Sequence, residues 1–284
     1  MFVKAIENAY SYVRIVFKGV KYFDNEEIDT TISPIIVLNK DGWILTTRCI
    51  ANTVFTSERV KYDYDHFCKD NENVSKRKFN KNLMEYKKDH KVEIQRNIFM
   101  DAFVGGKIEN ILFHEYLDMA LIKWKDFTSC NVKKFPVFRK NDSKVGEMLC
   151  KIGFSYPVHN TFIKKDNDID LNDKINFMVP FLPLDGMVSR VILDSKNKAS
   201  FLELTNNVTI NHLGGPVIDD AGYIVGLMFG FAHVDLMMDV NMESKRGAMS
   251  KKIDESQLMP LNVAINASTI KEFLNKYEIK YIEK

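Results

Sequence analysis

Residues 204–230 constrain this chain more than any other stretch. Gly214-Gly215-Pro216 leads into an apolar segment, Val217-Ile218, then an acidic turn, Asp219-Asp220-Ala221-Gly222, then a second apolar segment from Tyr223 to Met228 that closes on Gly230. Two short apolar runs around an acidic glycine turn read as a β-hairpin, with a tight glycine loop at its entrance. A second hairpin signal lies upstream, where Ile32 to Leu38 and Trp43 to Thr46 flank Asn39-Lys40-Asp41-Gly42. Within residues 3–19, a short amphipathic helix start gives way to alternation of Tyr12, Arg14 and Val16 against Val13, Ile15 and Phe17, a strand. Near the other end, Ser268 offers an N-cap to a helical stripe of Ile270, Phe273, Leu274 and Tyr277.

The bulk properties narrow the class without naming a function. With 284 residues, 45% hydrophobic and 27% charged, the chain can bury a sizeable core, which excludes disorder. A formal charge of +2 sets up no overall field that dictates a polyanionic partner. Cys49, Cys68, Cys130 and Cys150 are scattered, with neither zinc nor disulfide spacing, and read as reduced thiols. The first residues lack the apolar core of a signal peptide, and no apolar run approaches the ~18 residues of a membrane helix. The expectation is a cytoplasmic protein with no membrane contact, no metal and no cofactor.

Three stretches depart from the hairpin pattern. Residues 56–97 read as a solvated insertion into the first half, and Lys61 to Arg96 carry ten basic and seven acidic residues. Phe79, Leu83 and Tyr86 recur at helical spacing, so part of it reads as an amphipathic helix. A nucleic-acid patch around Lys76-Arg77-Lys78-Phe79 is the sharper alternative, and interspersed acidic residues argue against it. Residues 164–174 form a charged turn in which Asp166, Asn167 and Asp168 faintly suggest calcium ligands. The glycine and terminal glutamate of an EF-hand are missing, so a plain surface turn is expected. Residues 231–255, rich in Met and charge, read as a loop by composition.

Taken in order, the remaining segments resemble the trypsin-like serine proteases, closest to the HtrA/Deg branch. That family carries Gly-Asn-Ser-Gly-Gly-Pro around its nucleophile, where this chain has Asn211-His212-Leu213-Gly214-Gly215-Pro216. The family's Ile-Leu-Thr-Asn-Ala-His-Val-Val corresponds to Ile44-Leu45-Thr46-Thr47-Arg48-Cys49-Ile50-Ala51, and its Asp-Ile-Ala-Leu-Leu-Lys to Asp118-Met119-Ala120-Leu121-Ile122-Lys123. Val145 to Pro157 is similar to the strand and turn that open the family's second half. Gly186-Met187-Val188-Ser189 and Leu261 to Asn266 match two further strands. The resemblance implies an all-β fold of two packed six-stranded antiparallel barrels with a C-terminal helix. Residues 1–140 would form the first barrel and 141–284 the second, together one trypsin-like domain without a PDZ domain.

The resemblance also implies a degenerate active site. The nucleophile, base and orienting positions are Leu213, Cys49 and Asp118, and the oxyanion glycine is Asn211, a residue that tolerates positive φ at some cost. Leucine has no lone pair to attack with, and a thiol has no second nitrogen for Asp118 to orient. Asp118 therefore needs other donors: backbone amides near Arg48 and Cys49, the Thr46 or Thr47 hydroxyl, or the Arg48 guanidinium. His212 and His114 lack a nucleophile in a matching slot, and Cys49 reads as a small buried hydrophobe. The expected function is a non-catalytic pseudoprotease that binds a peptide, a protein or a second copy of itself in the cleft between the barrels, lined by Leu213, Gly214, Met187 and Met228. A protease with a displaced catalytic group is the alternative, and a nucleic-acid factor a weaker third.

Overall fold

The computed structural model describes residues 1–155, 161–165, 168–172, 179–194, 199–206, 208–233, 240–243, 250–253 and 260–284. Helix α1 (Val3–Ala9) precedes strands β1 (Val13–Tyr22), β2 (Ile28–Val37) and β3 (Trp43–Thr46). The turn into β3 requires Gly42: its φ is +92°, and a Cβ there would stand 2.5 Å from the Trp124 carbonyl oxygen. Two helices follow, α2 (Arg48–Asp70) and α3 (Lys76–Asp89), then β4 (Val92–Met100), β5 (Phe103–Phe113) and β6 (Ala120–Cys130). These six strands form one antiparallel sheet in the order β4-β1-β2-β3-β6-β5, a barrel left open between β4 and β5.

The second half contains β7 (Val137–Phe138), β8 (Met148–Phe154), β9 (Phe162–Lys165), β10 (Asp168–Leu171), β11 (Phe181–Leu193), β12 (Ser200–Leu204), β13 (Pro216–Ile218) and β14 (Ile224–His233). It continues through β15 (Val240–Glu243), β16 (Ser250–Ile253), β17 (Pro260–Asn266), α4 (Ala267–Lys276) and β18 (Ile282–Glu283). Strands β13-β8-β11-β12-β17-β14 are antiparallel neighbours, and β14 pairs back onto β13 to close the second barrel. The two six-stranded barrels expected from the sequence are present.

One core runs through both barrels, joining Ile35, Leu45 and Leu121 to Ile152, Ile218 and Ile265. Leu149, Val188, Leu204, Val217 and Met228 fill a second, smaller core. Each such side chain, fully buried, contributes about 1.5–3 kcal/mol.

Several boundaries differ from those expected. The split at 140/141 falls too late, because β7 already pairs with β14 and belongs to the second sheet. Helix α1, at the start of the chain, also packs on that half, since a Cβ on Gly222 would meet Ala5 at 3.2 Å. The insertion runs from Arg48 to Lys91, not 56–97. It starts early because the Thr47 hydroxyl accepts the Ile50 N–H and caps α2 (3.4 Å). It ends early because Val92 begins a barrel strand paired to β1.

Only the first turns of α2 are buried, through Ile50, Ala51 and Val54, and the Gln95 and Asn97 amides of β4 donate to the Thr53 carbonyl at 3.0 and 2.8 Å. Helix α3 leans on α2 through aromatic rings: Phe67 stacks near Tyr86 (centroids 4.5 Å) and Phe79 (5.6 Å).

Of the charged turn at 164–174, the described residues are mostly strand, and 173–174 lie outside them. Strands β9 and β10 form a ribbon laid over β1, where a Cβ on Gly19 would come within 2.9 Å of Ile169 and Phe162, and residues 166–167 lie outside the described residues. The segment 231–255, expected as a loop, contains the end of β14 and the antiparallel pair β15–β16, and its other residues lie outside the described ones. Four residues of Val-Asn-Met-Glu alternation were too short to stand out from the surrounding charge. Helix α4 begins one residue after Asn266, not at a Ser268 cap. Its Ile270, Phe273 and Leu274 are buried, while Tyr277 is its C-cap.

Candidate functional site

Asp118, Cys49 and the loop of Leu213, the positions singled out by the sequence resemblance, lie where the barrels meet. Asp118, two residues before β6, accepts the backbone N–H of Cys49 at 3.0 Å through Oδ1. Of the donors the sequence offered, the amide is the one used here. The Arg48 guanidinium instead donates to the His114 carbonyl and stands 5.3 Å over the Phe113 ring. Cys49 occupies the second residue of α2, and its side chain is exposed, so the expectation of a buried hydrophobe is wrong. The helix turns that residue outward while Ile50, next to it, packs inward.

The Leu213 loop reaches the same point from the second barrel. Ile210–His212 form one turn of 3-10 helix, Leu213 follows in extended conformation, and Gly214 has φ +91°. A Cβ on Gly214 would meet Ile50 Cδ1 and the Pro34 carbonyl at 2.6 Å and the Thr46 hydroxyl at 3.1 Å. Glycine here is therefore required twice, by conformation and by contact. Leu213 and Cys49 are each one residue from this contact. Leu213 is half-buried.

The oxyanion position behaves differently from the expectation. Asn211 is buried and lies within the 3-10 turn, so it is not among the residues with positive φ, and its side-chain amide donates to the Ser155 carbonyl at 3.4 Å. The Leu213 N–H donates to the Ile210 carbonyl at 3.1 Å, closing the turn on itself. An oxyanion hole requires free amide donors converging on one point. At Leu213 that donor is already engaged.

His212 is fully buried and locked. Its Nδ1 accepts the Thr209 N–H at 3.3 Å, which leaves Nε2–H to donate to the Leu182 carbonyl at 2.8 Å. Burial lowers its pKa, and the imidazole is a neutral fixture of the loop. The ring fits because residue 153 is glycine: a Cβ there would stand 2.5 Å from His212 and 2.8 Å from the Asn211 carbonyl. His114 is also held, its Nδ1 accepting the Leu117 N–H at 3.3 Å, and burial lowers its pKa as well.

Two residues expected to line the cleft do not. Met228 is 0% exposed and belongs to the second barrel's inner core. Met187 is exposed, but it pairs with Met148 at the far end of β8 and β11. His212 packs at the Gly153–Leu182 end, five residues or about 17 Å away along the strand. Gly214 is buried in the loop, and Leu213 alone of the four presents a side chain at the seam.

Residues the sequence did not flag complete the surroundings. A cavity of about 690 Å³ opens between the barrels, lined by Tyr10, Arg14, Met100, Phe154 and Phe181 among others. It begins one residue from Gly153. Lys151 is fully buried in the second barrel, donating from Nζ to the Thr205 and Asn206 carbonyls at 2.7 and 3.0 Å, and so fixes the start of the loop that carries Leu213. Among the described residues no cluster of His, Cys, Asp and Glu is placed to hold a metal ion, and no helix is long and apolar enough to cross a membrane.

No family model and no curated protein matches the sequence. Among solved structures, the chain is similar to an HtrA-type protease, AlgW, determined with a tripeptide: 13% identity, TM-score 0.45, covering 97% of this chain and 62% of that one. The chain thus spans about three fifths of the length of that protein.

Proposed function

We propose that this chain is a trypsin-like scaffold that does not cleave, and that it holds an extended peptide or protein segment at the seam between its barrels. The observation that carries this reading is the close approach of Gly214 to Ile50, which brings their chain neighbours Leu213 and Cys49 to one seam, at positions where a base and a nucleophile would have to stand. Neither side chain can do that work, and the Leu213 amide is spent on Ile210. What the site retains is a half-buried leucine, neighbouring strand ends and an inter-barrel cavity, features suited to extended-segment binding.

The test is binding of fluorescent peptides from unfolded casein, read by anisotropy, to the native chain and to Leu213→Asp. The reading requires saturable binding that Leu213→Asp weakens by about tenfold or more, about 1.4 kcal/mol, without a loss of thermal stability. Binding that is absent, or that is indifferent to Leu213→Asp, overturns it.

A further inference from the structure

Helix α3 lies outside both barrels and contributes no buried residue. Its inward stripe, Phe79, Leu83 and Tyr86, is half-buried against α2 and Phe23. At 3.6 residues per turn, Arg77, Lys81, Met84 and Lys88 share the opposite stripe, all exposed, with Met84 70% exposed. Lys76 and Lys78 flank it. The acidic residues that interrupt the basic run in sequence fall on one flank of the stripe, Glu85 one turn from Lys81 and Lys88 and Asp89 further round, so the exposed face of α3 carries five cations, Lys76, Arg77, Lys78, Lys81 and Lys88, against two anions.

We propose that this face binds the phosphate backbone of a nucleic-acid duplex, without reading bases. Arg77 to Lys88 spans about 16 Å of helix, and within it three cations and no anion share the outermost stripe. Charge complementarity calls for a regular polyanion. A single strand is disfavoured because binding it draws on aromatic platforms, and the rings of α3 are turned inward. A lipid surface is disfavoured because an interfacial helix needs an apolar face, and the apolar face of α3 is occupied by α2. The proposal is independent of the seam and of what binds there.

The test uses the full chain and a labelled DNA duplex of about 20 base pairs, with anisotropy followed from about 50 to 200 mM salt. Three neutralised phosphates give a log–log salt slope of about −3. Arg77→Glu with Lys81→Glu and Lys88→Glu loses tenfold or more in affinity and flattens that slope. The charge-matched control, Lys40→Glu with Lys144→Glu and Lys280→Glu, changes three exposed lysines elsewhere and keeps most of the affinity. The proposal is overturned if the native chain fails to bind at the lowest salt, if both variants lose affinity equally, or if the chain binds phosphatidylserine vesicles but not the duplex.

Discussion

The Cys49 backbone N–H donates to the Asp118 carboxylate at 3.0 Å, so this aspartate holds the first turn of α2. This is the work of a helix N-cap, performed from the bend that precedes β6. Replacing such an acceptor costs roughly 0.5–2 kcal/mol. Asp118→Ala is expected to lower the urea midpoint accordingly, and Asp118→Asn, which keeps one acceptor oxygen, to lower it less. Equal losses for the two variants would mean that the acceptor is not what matters.

Gly153 and His212 are expected to be coupled. A methyl group on residue 153 collides with the imidazole and with the Asn211 carbonyl, and overpacking of this kind costs about 1–3 kcal/mol. Gly153→Ala should therefore destabilise the chain, and His212→Ala should relieve part of that cost in a double-mutant cycle. Strict additivity would contradict the contact.

Lys151 makes stability depend on pH in a defined direction. Burial pulls its ammonium from 10.5 down to about 8, so above pH 8 the folded chain releases a proton that the unfolded chain still holds. Stability gains from this group as pH rises from 8, by at most about 1.4 kcal/mol per unit. Neighbouring Cys150, pushed up from 9.0 to about 11 by its own burial, opposes the gain above pH 9, because there only the unfolded chain ionises the thiol. Between pH 8 and 9 the native chain should therefore gain stability relative to Lys151→Met. Parallel denaturation curves for the two across that interval would exclude the effect.

The same burial separates the thiols by reactivity. Cys49 is exposed, whereas Cys150 is buried with its pKa raised. Maleimide labelling of the native chain, mapped by peptide mass, should modify Cys49 rapidly and Cys150 only after unfolding. Early labelling of Cys150 would show that the second barrel opens more readily than its packing implies.

What the sequence revealed follows from where one physical signal dominated. The turn residues Gly42, Gly214 and Gly222 all have positive φ, and turn chemistry alone located the hairpins around them. Asp118 was legible because its apolar neighbours fixed it just ahead of a strand. Met228 was misplaced because Ile224 to Phe229 is apolar on both faces, and in such a run alternation does not say which face is inside. Lys151 was invisible for a related reason. Strand β8 is buried on both sides, so a lysine among Leu149, Cys150 and Ile152 has no exposed face to occupy and satisfies its ammonium with loop carbonyls. The exposure of Cys49 depended on the Thr47 cap, a single hydroxyl that starts a helix earlier than the charge pattern indicates.

The most direct measurement is incubation of the purified native chain with unfolded casein, read by mass spectrometry against casein alone. With Leu213 and Cys49 at the positions that the proposed function assigns to nucleophile and base, no new peptide termini are expected, however long the incubation. Cleavage that co-purifies with the chain through a second, orthogonal column would contradict the account, because a catalytic nucleophile that the account does not recognise would then have to be present.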